Sequence, residues 1–130
     1  MIEIKDLSFG FKDNQRVLNS INVSIGSGEF VAVVGGNGSG KSTFVRHLNG
    51  LLLPDEGMVE VWDMDTFTIS NLTAIRRKIG MVFQNPLTQF VGATVEEDVA
   101  FGLENLAYPS SVIRNKTDSS LSDLGISHLA

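Results

Sequence analysis

The sequence predicts an α/β fold, with an antiparallel β portion at the N-terminus followed by alternating strands and helices. Three observations carry this. Ile2 to Phe9 and Val17 to Ile25 alternate apolar and polar residues with period two, the mark of half-buried strands. Phe30-Val-Ala-Val-Val34 is continuously apolar, as in a strand covered on both faces. Lys41 to Asn49 then changes to helical spacing, with Phe44, Val45 and Leu48 on one side. Composition agrees, since 42% hydrophobic and 19% charged residues in a chain of 130 describe a globular protein rather than a disordered one.

The elements follow in order. Ile2-Glu-Ile-Lys5 opens the first strand, and the polar stretch 12–15 turns the chain. Ile21, Val23 and Ile25 line one face of the second strand, expected antiparallel to the first. Gly26-Ser-Gly28 leads into Phe30–Val34. Gly50 is placed to end the first helix, and residues 54–57 form a turn. Met58 to Trp62 alternates again, with Asp63 as a turn residue at its end. Ser70 to Lys78 reads as a short helix whose basic end, Arg76-Arg-Lys78, is expected to be solvated. Ile79 to Phe83 is a second candidate for a doubly covered strand. Thr94-Val-Glu-Glu97 fits a capping box, opening a helix with Val95, Val99, Leu103 and Leu106 on its apolar face. Glu96-Glu-Asp98 is its acidic first turn. Pro109 breaks the pattern, and Ser110 to Leu124 is a weaker helix ended by Gly125. His47 and His128 are isolated and are expected to be ordinary surface or boundary residues.

Composition also excludes. Fifteen acidic against ten basic residues give a net charge of -5, which opposes nucleic-acid binding through bulk electrostatics. With no Cys there is no disulfide, thiolate metal site or Cys nucleophile. No apolar run approaches the roughly 18 residues of a membrane span. Met1-Ile-Glu-Ile-Lys5 carries charges where a signal peptide needs its apolar stretch, so a cytoplasmic location is expected.

The chemistry is concentrated in Gly35-Gly-Asn-Gly-Ser-Gly-Lys-Ser42, which matches G-x-x-x-x-G-K-[ST] at every fixed position. It also has the required context, after an apolar run and before a helix. Glycines let several backbone N–H groups converge on one anion, and the helix adds the positive end of its dipole. Gly36, Asn37, Gly38, Ser39 and Gly40 therefore form a candidate phosphate cradle. Lys41 supplies a cation for the β- and γ-phosphates, Ser42 a hydroxyl for Mg²⁺, and Thr43 a further hydrogen bond. The dinucleotide pattern G-x-G-x-x-G fails, because Lys41 or Thr43 stands where its third glycine belongs.

Lys5-Asp-Leu-Ser-Phe-Gly-Phe11, Ala32 to Thr43 and Met81-Val-Phe-Gln-Asn-Pro86 together resemble the ATP-binding subunits of ABC transporters, from Ile2 to about Leu106. The resemblance implies a P-loop NTPase core, α/β, with an N-terminal antiparallel β subdomain. It places residues 1–106 in the ATPase domain and 107–130 at the start of its helical subdomain, with the sequence stopping before the signature and Walker B segments. It gives Phe11, where most members carry Tyr, the role of stacking on adenine, and Val17 that of packing on base and ribose. It makes Gln84 the glutamine of the Q-loop, approaching Mg²⁺ and the attacking water and sensing the membrane subunit. A neutral amide suits that role, since it ligates and orients water without titrating. Phe83 to Asn105 is most similar to the energy-coupling-factor group, which imports vitamins or cobalt and nickel ions, although Leu87 and Thr88 depart from its usual residues.

Phosphoryl transfer also needs an aligned water and a second hold on Mg²⁺. The family supplies these with an Asp ending an apolar strand, a following Glu, a later His, and an LSGGQ-type segment. None is present: Asp63 precedes Gln84, and Leu121-Ser-Asp-Leu-Gly125 shares only two letters with the signature and reads as a helix end. The expectation is an importer ATPase by family, with ATP and Mg²⁺ as cofactors. Its partners would be a second ATPase subunit, identical or not, and transmembrane subunits at the inner face of the cell membrane. The 130 residues alone are expected to bind nucleotide without turnover. A nucleotide-binding module without hydrolysis is the alternative, and a DNA-associated P-loop ATPase is disfavoured by the charge.

Overall fold

The computed structural model describes residues 1–12, 16–85 and 89–130. The turn expected at 12–15 falls, apart from Lys12, outside the described residues, as do Pro86, Leu87 and Thr88. Contacts divide the chain into two compact units, Met1–Met81 and Val82–Ala130.

The first unit is built on a four-stranded antiparallel sheet of β1 (Ile2–Gly10), β2 (Arg16–Ile25), β3 (Glu56–Val61) and β4 (Met64–Asp65), in the order β2-β1-β3-β4. Alternation sets the register. Ile2 and Ile4 oppose Ile25 and Val23 on β2, and Val61 and Val59 on β3. Along β1 the apolar positions then change from even, Ile2 and Ile4, to odd, Leu7 and Phe9, and the register shifts at that point. Asp6 makes the change with φ 50, facing Ser20 with φ 49. Its carboxylate accepts hydrogen bonds from Asn22 Nδ2 and Ser20 Oγ, both at 3.0 Å. Those donors, Asn22 first, hold the Asp6 carboxyl below its ordinary range. The irregularity lets both Ile4 and Leu7 enter the core. Trp62 and Asp63, with φ 48 and 60, form the two-residue turn between β3 and β4, as a type I′ hairpin requires.

α1 (Lys41–Leu48) and α2 (Ile69–Lys78) contribute Phe44 and Ile75 to the core formed by Ile4, Leu7, Phe9, Leu18, Val59 and Val61. α1 closes with Gly50 N–H on the His47 carbonyl at 3.2 Å and Leu51 N–H on the Arg46 carbonyl at 3.0 Å, a Schellman motif. Two expectations change here. Arg76 is not simply a solvated helix end: its Nη2 donates to the Gly50 carbonyl at 2.7 Å and its Nε to that of Asn49 at 3.4 Å, closing α1. His47 is not a surface or boundary residue, since it is fully buried, and burial lowers its pKa. The helical spacing that put Phe44 in the core puts His47, three residues on, on the same side.

The two runs expected as doubly covered strands, Phe30–Val34 and Ile79–Phe83, form no strand. Phe30, Val34 and Val82 are 97%, 86% and 93% exposed. A strand exists only through its neighbours, and no described strand pairs with either run.

The second unit consists of α3 (Val95–Asn105), α4 (Ser110–Asp123) and a 3₁₀ turn at Ser127–Leu129. The capping box forms as expected: Glu97 N–H donates to Thr94 Oγ1 at 3.2 Å, and Glu97 Oε2 accepts from Thr94 N–H at 3.2 Å. The same oxygen accepts from Ala93 N–H at 2.8 Å, while Asp98 Oδ1 accepts from Val91 and Gly92 at 2.7 and 3.1 Å. Two carboxylates thus collect four consecutive N–H groups, and those from Val91 and Gly92 hold the Asp98 carboxyl below its ordinary range. α4 buries Thr117 and Leu121, and Gly125 N–H and Ile126 N–H close it on the carbonyls of Ser122 and Leu121, both at 2.9 Å. The helix-end reading of Leu121–Gly125 holds. Among the described residues, no helix is long and apolar enough to cross a membrane.

Candidate nucleotide site

β1 ends by presenting an aromatic pair. Phe9 is buried and Phe11, just beyond the strand, is 49% exposed, with the rings edge to face at 5.0 Å and 87°. Asp55 fixes this strand end, accepting from Gly10 N–H through Oδ2 at 2.8 Å and donating its own N–H to the Ser8 carbonyl at 3.0 Å. Nothing in the local pattern marked Asp55, because its partners lie 45 residues or more away along the chain.

The glycine-rich segment reaches the same region through one close approach. Gly40 is the N-cap of α1 with φ 91, and a Cβ there would stand 3.1 Å from both Val17 Cγ1 and Leu18 Cδ2. Glycine therefore seats the start of α1 directly on β2, beside Val17. Gly36 accepts from Ser39 N–H at 3.3 Å, tightening the loop, and Phe44 N–H on the Gly40 carbonyl at 2.8 Å begins the helix. No side chain caps α1 and its first turn holds no acidic residue, which leaves its N-terminal N–H groups and dipole for an anion.

These pieces border one cavity of about 350 Å³, lined by Phe11, Val17 and the residues from Gly38 to Thr43. Lys41 Nζ donates to the carbonyls of Gly35 and Gly36 at 2.9 and 2.8 Å. Gly36 and Asn37 precede the cavity wall and are exposed, while Thr43 is buried. Among the described residues, no three His, Cys, Asp or Glu side chains are grouped to hold a metal. A Mg²⁺ here would rely on the Ser42 hydroxyl and ligand oxygens, the donor set such a hard, hydrated ion accepts.

Gln84 belongs to the second unit, where it is exposed in a bend. Its neighbours are held by a residue the sequence did not mark. Gln89 Nε2 donates to the Phe83 carbonyl at 3.3 Å and the Asn85 carbonyl at 3.0 Å, and its Oε1 accepts from Phe83 N–H at 3.4 Å. A side-chain amide supplies the two donors and the acceptor that this bridge uses.

A family model described as "ABC transporter" matches residues 18–130. The energy-coupling factor transporter ATP-binding protein EcfA of Methanosarcina acetivorans is 50% identical over 126 residues, covering 97% of this chain and 46% of its own length. The cobalt import ATP-binding protein CbiO of Syntrophus aciditrophicus is 46% identical over 127 residues, covering 97% and 45%. Among solved structures, cbiO1 of Clostridium perfringens, part of the ABC transporter complex cbiONQ, superposes with a TM-score of 0.83 at 36% identity over 98% of this chain and 51% of that one. A dimeric ATP-binding cassette in a post-hydrolysis state, bound to ADP and Pi, gives 0.78 at 30% identity over 94% and 56%. The chain spans about half the length of the curated relatives it matches. With its glycine loop on β2 and a family model running from Leu18 to Ala130, the chain belongs to the ABC transporter family.

Proposed function

We propose that this chain binds ATP as part of the ATP-binding subunit of an ABC importer of the energy-coupling-factor kind, coupling nucleotide binding and hydrolysis to uptake of a vitamin or metal ion. The observation that carries the reading is the single cavity holding an exposed aromatic ring, Phe11, and the glycine loop with Lys41. Phe11 stacks on the base and Val17 packs against base and ribose. The N–H groups of Gly36, Asn37, Gly38, Ser39 and Gly40 cradle the phosphates. Lys41 exchanges the carbonyls of Gly35 and Gly36 for β- and γ-phosphate oxygens. Thr43 donates a further bond. Mg²⁺, when bound, would neutralise phosphate charge and would be held by Ser42 and phosphate oxygens, and Gln84 keeps the role of orienting water that its resemblance to the Q-loop glutamine implies.

Residues 1–106 are the N-terminal part of the ATPase domain in this reading and 107–130 the beginning of its helical subdomain. Partners are a second ATPase subunit and transmembrane subunits, which would hold the protein at the inner face of the cell membrane. The relatives support this, being named as transporter ATP-binding proteins. A cavity of about 360 Å³ beside α3 and α4, bordered by Glu96, Glu97, Glu104 and Arg114, offers a charged face for such a partner.

Hydrolysis by the 130 residues alone is a separate matter. They contain no apolar strand ending in Asp-Glu after Gln84 and no LSGGQ-type segment. ATP is therefore expected to bind while phosphate release stays at the level of Lys41→Ala. Calorimetric titration and a steady-state phosphate assay on both proteins test this. Equal ATP affinity in Lys41→Ala overturns the site, and release well above that variant overturns the absence of turnover.

A further inference from the structure

His47 is the one buried titratable side chain of α1, and the nucleotide reading gives it no task. Its ring stands edge to face with Phe9 at 4.8 Å and 73°, and Phe9 in turn stands edge to face with Phe11 at 5.0 Å. Three rings therefore run in a column from the exposed Phe11 into the core. At its inner end, His47 Nδ1 lies 2.8 Å from the Thr43 carbonyl. A carbonyl only accepts, so the proton is on Nδ1 and the neutral ring carries its lone pair on Nε2. That atom is buried and has no hydrogen-bond partner. Thr43 and Phe11 both border the nucleotide cavity. The column thus connects two residues that border one site, Phe11 and Thr43, through the interior.

Resting on the nucleotide reading, we propose that His47 is a positioning residue that sets the base platform relative to the phosphate loop. Its ring edge fixes the tilt of Phe9, and with it the plane that Phe11 offers, while its Nδ1–H bond fixes that same ring to the first turn of α1. An aliphatic side chain would fill the volume but supply neither the ring edge nor the donor. The surroundings favour the neutral ring. β1 presents Phe9, α1 presents the Thr43 carbonyl, and the segment after α1 brings the Leu53 carbonyl and the Asp55 carboxylate, which favour protonation less than burial opposes it.

The test compares ATP with inorganic tripolyphosphate, which occupies the phosphate loop without a base, on the 130-residue chain. His47→Leu is expected to weaken ATP binding roughly tenfold, within the range of one base–aromatic stack, and to leave tripolyphosphate binding within about twofold. His47→Phe, which restores the ring edge without the Nδ1–H donor, is expected to recover part of the ATP-to-tripolyphosphate ratio lost in His47→Leu. A purely structural role would move both ligands together. In the unsubstituted chain, whatever the variants' folding, the His47 imidazole NMR signals are expected to shift on ATP and not on tripolyphosphate. An unchanged ratio in His47→Leu, or equal His47 shifts with both ligands, overturns the proposal. Failure of the unsubstituted chain to bind either ligand overturns the nucleotide reading itself, and this proposal with it.

Discussion

Phe11 borders the cavity half exposed, with buried Phe9 bracing it edge to face. The brace means that a ligand meets a ring already held in place, so truncation removes the stack rather than a mobile contact. Phe11→Ala is expected to cost about 1–3 kcal/mol of ATP affinity, read by calorimetry, and an unchanged dissociation constant removes Phe11 from the site. His47 makes a different prediction. Burial lowers its pKa, so the native state favours the neutral ring while the unfolded chain titrates near the ordinary 6.5. Below that pH the unfolded state binds more protons, and stability falls with pH until the native pKa is passed. The His47 contribution is thus complete above pH 6.5 and is lost on acidification. The urea midpoint of the first unit, followed by the single Trp, Trp62, is expected to fall between pH 7.5 and 5.5 more in the unsubstituted chain than in His47→Phe. Equal pH slopes would refute this.

At the scale of elements, α1 carries the phosphate loop, and its two ends are secured differently. Its start sits on β2 through Gly40, while its end is closed by Arg76, whose guanidinium reaches the Gly50 and Asn49 carbonyls from α2. Arg76→Ala is expected to lower the stability of the first unit by about 1–2 kcal/mol, the worth of a charged donor on the negative end of a helix. Lysine at this site recovers part of it, and a midpoint unmoved in the Ala variant would make Arg76 a surface charge after all. What was legible in the sequence follows from how local each interaction is. The glycine loop, the capping box at Thr94 and the glycines closing α1 and α4 are written within a few neighbouring residues. The contacts of Arg76 and Asp55, and the ring contact of His47 with Phe9, cross 26 to 47 residues, and their residue types alone do not say which partner they meet. The bulge at Asp6 was half legible, because the apolar positions of β1 change parity there.

The whole molecule departs from expectation where pairing, rather than periodicity, decides. Phe30–Val34 and Ile79–Phe83 have the composition of doubly covered strands, yet a strand needs hydrogen-bonded neighbours, and the sheet β2-β1-β3-β4 includes neither run. Much of their apolar surface faces solvent, with Phe30 at 97% and Val82 at 93% exposure, while Ile79 packs against the core. Exposed apolar surface of this kind recruits hydrophobic dyes and self-association. The 130-residue chain is expected to enhance the fluorescence of anilinonaphthalene sulfonate at neutral pH without denaturant. Phe30→Lys with Val34→Lys is expected to remove a large part of that signal. The same pair leaves the Trp62 urea midpoint in place, since neither side chain belongs to the core around Ile4, Leu7 and Val59. A chain silent to the dye would mean that these runs are covered in solution. A midpoint that drops with the lysines would mean that Phe30 and Val34 support the sheet from outside it.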